Sequence, residues 1–473
     1  MVGVPSSKGC ILCVKRRVRC DQARPACQRC VKYGAECPGY DRALKFVTEK
    51  PSKRPVPAPK PSASSSASSA ESSKSSTPVS DVLTKRPPGV LQFELNPGRM
   101  QILVPLAQGI WSMRQDIEFL HFWPWLEGIL DRLGAKPTLD SATCSLILHI
   151  EGKQMGNEAL VARARTSYLH ALAALQRALK HPTEWKTSET LCSAILLCLY
   201  ESFAGTTNPS NWMNHAKGVG RLMQLRGPNA HYSDWDIAMI TIFRGLSIMY
   251  AFFTAEDCFL VKKEWRDVWA SRGHAPYDEL VDRFWFCLAL CPSVVRQAQI
   301  LRKMSRSSIS VDQEAIDAVT RQTLELRERF VDWYTMLTKY LPPPNEVPSQ
   351  DSRFPYSTMF IFPSVWVGTL FMGYWSSMLL IQQILGEWTD VEFEESNSEL
   401  LEKIFKSVEF TSKGFMGPYR VGYAMRISLE FANEEQKEWI RRLLSELSDG
   451  FAATSPTPGP GLPRPIIREI PIR

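Results

Sequence analysis

The stretch that decides the reading is Cys10-Ile-Leu-Cys13-Val-Lys-Arg-Arg-Val-Arg-Cys20-Asp-Gln-Ala-Arg-Pro-Ala-Cys27-Gln-Arg-Cys30-Val-Lys-Tyr-Gly-Ala-Glu-Cys37. Its spacing is C-x2-C-x6-C-x6-C-x2-C-x6-C, and the second half repeats the first at an offset of 17: Cys10 to Cys27, Cys13 to Cys30, Cys20 to Cys37. Two thiols three residues apart share one helical turn and can grip one ion, and a third returns after a short loop. A structural zinc site takes four ligands, so six cysteines satisfy two zinc ions only if two thiolates bridge both. Quasi-symmetry points to an equivalent pair, and Cys10 and Cys27, which lead the two halves, are the candidates.

Other readings of the same cysteines fit less well. A three-disulfide scaffold needs an oxidising compartment, and the opening residues Met1–Gly9 hold Pro5, two Ser and Lys8 rather than an apolar signal segment. Two separate four-ligand sites need two more ligands, and no His occurs in the first 120 residues. Charge is concentrated in the same place. Residues 1–60 carry 14 Lys and Arg against 4 acidic residues, while the whole chain has a net charge of only +7. The remainder is therefore slightly acidic, and the pattern is a polyanion-binding head on a nearly neutral body.

These residues resemble the fungal binuclear zinc cluster, the Zn₂Cys₆ DNA-binding domain. The resemblance implies two zinc ions held by Cys10, Cys13, Cys20, Cys27, Cys30 and Cys37, with the first and fourth cysteines bridging, in agreement with the count above. The family's loop proline is matched by Pro25. Between Cys13 and Cys20 lie Lys15, Arg16, Arg17 and Arg19, whereas the matching positions of the second half hold Lys32, Tyr33, Gly34 and Glu36. Only the first half is densely cationic, so it is expected to enter the major groove. The resemblance implies readout of a CGG-type triplet by Arg16 and Arg17, and arginine can bond guanine O6 and N7 with two donors. Lys15, Arg19, Arg24, Arg29 and Lys32 are expected on phosphates, adding affinity without sequence information.

Composition divides the rest of the chain. Residues 51–90 contain 12 Ser and 8 Pro, too little apolar surface to offset the entropy of ordering, and residues 47–90 read as a disordered linker. From 91 to 450 the apolar pattern is helical. Ala159, Leu160, Ala164, Tyr168, Ala171, Leu172, Leu175 and Leu179 mark one face, and Thr187-Ser-Glu opens a second helix. A third runs from about Trp212 to Arg226 and stops at Gly227-Pro228, and a late helix covers Glu434–Leu447. Phe354–Gly386 carries no charge over 33 residues, but its prolines, glycines and glutamines favour a buried core helix over a membrane span. The Pro-rich residues 451–473 read as a disordered tail. Six further cysteines, scattered through apolar runs, read as reduced core thiols.

The expected architecture is a small cluster domain at 1–46, the linker, and a large all-α body at 91–450. Ser188 to Glu201, Trp212-Met-Asn-His215 and Leu225-Arg-Gly-Pro228 resemble the all-α regulatory domain found behind many fungal zinc clusters. His215 reads as a helix residue packing near Trp212, and Glu201 as pairing or capping. No HExxH, GxSxG, Walker loop or GxGxxG occurs, so no enzyme is expected. Asp390-Val-Glu-Phe-Glu-Glu reads as a solvated edge or loop rather than an activation segment.

The functional expectation is a nuclear, zinc-dependent, sequence-specific regulator of RNA polymerase II transcription, of the kind that controls a metabolic pathway or gene cluster. Its expected partner is double-stranded DNA, with no membrane. Residues 41–90 show no apolar heptads, so extra specificity falls to a homodimer of the body, a second transcription factor, or a monomer using flanking bases. A small-molecule effector is compatible with a helical body, but the sequence does not locate its pocket. The competing reading is a zinc-stapled interaction protein with non-specific polyanion binding.

Overall fold

Thr187 stops one chain direction and starts another. Its backbone is extended, and its side chain accepts the Thr190 amide at 3.3 Å, fixing the first turn of a helix over Ser188–Phe203. Asn157, Ser233 and Ser396 do the same for other helices, and Ser396 forms a full capping box with Glu399. At the other end of the Asn211–Arg226 helix, Gly227 takes φ +75°, a region that a side chain would strain, so the expected Gly-Pro stop is built as read.

The computed structural model describes residues 10, 12, 13, 16, 18, 20, 21, 23, 27–35, 37, 122–204, 211–231, 233–270, 276–307, 312–414, 416–448 and 450–452. The chain divides into two compact units, Met1–Val90 and Leu91–Arg473. The expected linker at 47–90, the first residues of the body and nearly all of the tail lie outside the described residues.

Within the first unit, α1 spans Gln28–Lys32. The second unit contains α2 (Phe122–Arg132), α3 (Pro137–Gln154), α4 (Glu158–Lys180), α5 (Ser188–Phe203), α6 (Asn211–Arg226), α7 (Asp234–Thr254) and α8 (Lys263–Ala270). It continues with α9 (Pro276–Arg306), α10 (Gln313–Tyr340), strands β1 (Asn345–Pro348) and β2 (Thr358–Ile361), then α11 (Val365–Trp388), α12 (Asn397–Thr411), α13 (Gly417–Phe431) and α14 (Glu434–Ser448). The large domain is thus mostly helical.

Its core is one continuous apolar cluster. Trp125, Trp212, Trp333 and Trp375 are buried within it, as are Phe243, Phe284, Phe330 and Phe371. Aromatic contacts tie α9, α10 and α11 together: Phe284 lies 4.8 Å from Trp333, and Tyr334 stacks on Tyr374 at 4.2 Å. Gly128 is needed where α2 crosses α7, because a Cβ there would sit 2.1 Å from the Trp235 ring. The Trp235 indole N–H in turn donates to the Trp125 carbonyl at 3.0 Å.

Three expectations are refined. The uncharged stretch from Phe354 yields a buried helix only from Val365, capped by Ser364, while its first part forms β2. β2 pairs antiparallel with β1, Glu346 opposite Phe360, and Lys406 of α12 holds Glu346 at 2.7 Å. On α4 the buried face is Val161, Ala164, Ala171, Ala174, Leu175 and Ala178, whereas Leu179 is 44% exposed. Of the six scattered cysteines, five are buried and Cys144 is half-buried, and all are free thiols.

Among the described residues two helices are long and apolar enough to cross a membrane, Asp234–Thr254 and Asp278–Arg306, and 78% of the first one's apolar window is buried inside the helical domain.

Candidate metal centre and nucleic-acid interface

The metal centre is built twice by the same local device. In each half the leading thiol accepts the backbone N–H of the cysteine three residues on: Cys13 N–H to Cys10 Sγ, and Cys30 N–H to Cys27 Sγ, both 3.4 Å. Each bond turns two thiols to one side of a helical turn. The halves then close on each other. Cys10 Sγ lies 3.7 Å from Cys27 Sγ and 3.6 Å from Cys30 Sγ, and Cys13 Sγ lies 3.6 Å from Cys27 Sγ. These are far from the roughly 2.05 Å of a disulfide, and the six thiols are free.

Two groups of four thiols result. Cys10, Cys13, Cys20 and Cys27 lie within 4.8 Å of one another, as do Cys10, Cys27, Cys30 and Cys37. Cys10 and Cys27 belong to both groups, the pair that quasi-symmetry made the candidates for sharing. A tetrahedron of sulfurs about 2.3 Å from a central ion has edges of about 3.8 Å, and the observed separations of 3.6–3.7 Å fit that size. The cluster is positioned to bind a binuclear zinc site.

Electrostatics argue the same way. Cys10, Cys13, Cys27 and Cys30 have no exposed surface. Burial, reinforced by the neighbouring thiols of Cys10, Cys27 and Cys20, pushes the Cys13 thiol up to about 12, and burial likewise raises Cys27 and Cys30. So many thiols packed together resist ionising unless a cation compensates them. Zn²⁺ supplies that charge and is the usual structural partner of four thiolates.

Asp21 pins the peptide between the halves. Asp21 accepts the Gln28 N–H at 3.0 Å, and that hydrogen bond holds its carboxyl below the usual carboxylate range. Beyond α1, Gly34 at φ +71° lets the Ala35 amide return to the Cys30 carbonyl at 3.2 Å.

Of the residues expected to meet DNA, Arg29 and Lys32 lie exposed on α1. Arg16 is half-buried, with its amide donating to the Leu12 carbonyl at 3.0 Å. Lys15, Arg17, Arg19 and Arg24 lie outside the described residues, as does Pro25. Sequence reasoning missed Tyr33: the Arg16 guanidinium carbon lies 3.2 Å from the centre of its ring. The signal was present in the repeat, because positions 16 and 33 are 17 residues apart.

In the helical domain His215 meets Tyr168. Tyr168 Oη and His215 Nε2 are 3.2 Å apart, and burial lowers the His215 pKa. Glu201, 4% exposed, pairs with the Tyr168 hydroxyl, in keeping with a structural role. The run from Asp390 is a loop, as expected. Phe393 packs on the core beneath Arg327, and Glu395 pairs with Lys403.

Comparison with known proteins follows the same division. Residues 8–45 match the fungal Zn(2)-Cys(6) binuclear cluster domain, and residues 134–406, more than half of the chain, match the fungal specific transcription factor domain. An uncharacterized protein of Emericella nidulans is 31% identical over 161 residues, which cover 32% of this chain and 34% of that protein. A protein of the same fungus named as the aspercryptin biosynthesis cluster-specific transcription regulator is 54% identical over 35 residues, 7% of this chain and 6% of its own length. The matched segments therefore span about a third or less of either relative. No solved structure matches the chain.

Proposed function

The chain belongs to the fungal transcription factors built on the fungal specific transcription factor domain, a family of DNA-binding regulators, and from that premise we propose that it is a sequence-specific activator or repressor of RNA polymerase II transcription acting in the nucleus. The observation that carries this reading is the pair of four-thiol groups sharing Cys10 and Cys27. A cluster of this kind has no catalytic opening: all four positions around each ion are filled by protein sulfur, so its task is to shape a small basic surface.

In this reading the six cysteines hold two zinc ions, and the first half presents its basic run to the major groove. Arg16 and Arg17 read a CGG-type triplet, while Lys15, Arg19, Arg24, Arg29 and Lys32 contact phosphates. A triplet recurs by chance about once in 64 positions, too often for selectivity against a genome. Pairing of two chains through the helical domain, or a second factor bound nearby, supplies the missing information. That domain also receives the regulatory input, with a small-molecule effector as its simplest form. The similarity of a 35-residue stretch to a regulator named for a biosynthesis cluster supports a target set of the same kind, the genes of one metabolic pathway.

The test is a pair of substitutions in the zinc-loaded chain. Arg17→Ala is expected to cost about 1–3 kcal/mol at the selected site and little on scrambled DNA, whereas Arg29→Ala weakens both alike and lowers the salt slope by about one. Equal losses on both DNAs for Arg17→Ala would remove base readout from that residue and favour a polyanion-binding scaffold.

A further inference from the structure

We propose that Tyr33 is a specificity-determining positioning residue: its ring holds the Arg16 guanidinium in a fixed plane, so that the donors along the edge of that plane are pre-set to read a base. The proposal rests on the DNA-binding reading above and goes beyond it by assigning a role to the second, non-basic half of the cluster.

The geometry starts from the repeat. Arg16 lies three residues after Cys13, and Tyr33 three residues after Cys30, so the two occupy equivalent positions of the two halves. Each is tied to its own cysteine turn through the backbone. The Arg16 amide donates to the Leu12 carbonyl at 3.0 Å, and the Tyr33 amide to the Cys30 carbonyl at 3.1 Å. The quasi-twofold arrangement that brings Cys10 against Cys27 therefore also brings side chain 16 against side chain 33. At 3.2 Å from guanidinium carbon to ring centre, the guanidinium sits over the face of the ring in cation–π contact. Chemistry breaks the symmetry where the backbone keeps it: a cation on one side, an aromatic ring on the other.

The stack leaves Arg16 free for readout. A guanidinium carries its five N–H donors in its plane, so a ring covering one face leaves the edge open. Bidentate bonding to guanine O6 and N7 uses that edge. Tyr33 is 58% exposed and α1 offers no deep core, so burial alone does not explain an aromatic side chain there. Its effect is to remove rotamer freedom from a long side chain before DNA arrives. An unstacked Arg16 would have to lose that freedom on binding. The asymmetry of the halves then gains a meaning: the first half contacts the base, and the second braces the reader.

The experiment uses the full zinc-loaded chain and four variants, Tyr33→Leu, Tyr33→Phe, Arg16→Ala and the Tyr33→Leu/Arg16→Ala double. Each is checked for zinc content, then assayed by selection from random DNA and by affinity for the selected site across a salt series. With two zinc ions retained, Tyr33→Leu is expected to weaken the selected site about three- to tenfold and to flatten the preference at the one base pair that Arg16→Ala also flattens. Tyr33→Phe keeps the ring and should stay within about twofold of wild type. The salt slope should not change, because no phosphate contact is lost. In the double variant the Tyr33→Leu effect should vanish, since there is no reader left to brace. Wild-type selectivity in Tyr33→Leu, or equal effects of that change with and without Arg16, overturns the proposal alone. A wild-type chain that selects no sequence at all overturns the DNA reading and this proposal with it.

Discussion

The two units hold themselves together by different means. Among the described residues of the head, those without exposed surface are all cysteines, Cys10, Cys13, Cys27 and Cys30, and Leu12 packs against them. In the helical domain the buried set is dominated by Trp, Phe, Leu and Ile, with occasional buried charges such as Arg226 with Asp236 and Arg244 with Asp282. A segment of about 30 residues cannot bury enough apolar area to fold by the hydrophobic effect, and metal ligation takes over that role. A domain several times larger has no such need. Its few buried ion pairs fix helix positions rather than supply the bulk of its stability.

The largest effect should come from the shared thiols. Because Cys10 and Cys27 belong to both four-thiol groups, Cys27→Ser is expected to abolish both zinc sites and the fold of the head, where metal binding is of the order of 10 kcal/mol. Cys37→Ser touches one group and should leave about one zinc ion per chain. Metal content by mass spectrometry separates the two cases, and equal losses in both would mean that the cysteines are not shared. Far-ultraviolet circular dichroism should change little in either, because among the described residues only the five-residue α1 lies in the first unit and the other helices lie in the second.

The next effect lies in the helical domain. Asp236, 4% exposed, accepts from the Arg226 guanidinium at 3.2 Å and from the Ser188 hydroxyl at 2.6 Å, joining the start of α5, the end of α6 and the start of α7. Asp236→Ala leaves the Arg226 charge buried and uncompensated, which should lower stability by about 3–5 kcal/mol while zinc content stays at wild type. A wild-type melting temperature would show that this polar joint is not needed to hold the three helices.

Acid should act on both units for different reasons. Burial, with help from the Arg226 charge, holds the His231 pKa down to about 4 in the folded domain, while Asp236 pulls it the other way and Trp265 packs on the ring. The unfolded chain takes up that proton near pH 6.5 and the folded one near 4, so the stabilising contribution is present above 6.5 and lost as pH falls through that window. The loss is of the order of 3 kcal/mol. His231→Phe should flatten the stability profile between those pH values. In the head, protons compete with zinc for the thiolates, so excess zinc should protect the head in acid and leave the acid sensitivity of the helical domain unchanged. Protection of both units by zinc would contradict the division.

The smallest effect is Gly34→Ala. A Cβ at Gly34 meets nothing within 4 Å, yet φ +71° strains any side chain, so about 1 kcal/mol should be lost from the head without loss of zinc.

Legibility from sequence follows the same division. The cluster could be read because metal ligation is encoded by residue type and spacing: the count of six cysteines against two ions required two bridging thiolates, and quasi-symmetry made Cys10 and Cys27 the candidates. The helix starts at Thr187 and the stop at Gly227-Pro228 could be read because caps are local. The buried face of α4 was legible only in part: Ala164, Ala171 and Leu175 follow from the periodicity, Val161, Ala174 and Ala178 do not. Alanine occurs on both sides of that helix, and close packing selected Ala174 and Ala178 while leaving Leu179 outside, which periodicity alone does not foresee. The β1–β2 hairpin escaped because Pro342, Pro343, Pro344 and Pro348 hide any strand pattern in Asn345–Pro348. The Arg16–Tyr33 stack escaped for another reason: the repeat was read for its cysteines, and the same register applied to the intervening positions would have paired the two residues.

The most direct test of the whole account is selection of binding sites from random DNA by the zinc-loaded full chain at two salt concentrations. The account expects enrichment of sites carrying a CGG-type triplet that survives the higher salt, with weak binding to all other sequences falling away. Binding that melts with salt and enriches no sequence at either concentration would contradict it, leaving a zinc-stapled basic head that holds polyanions without reading them.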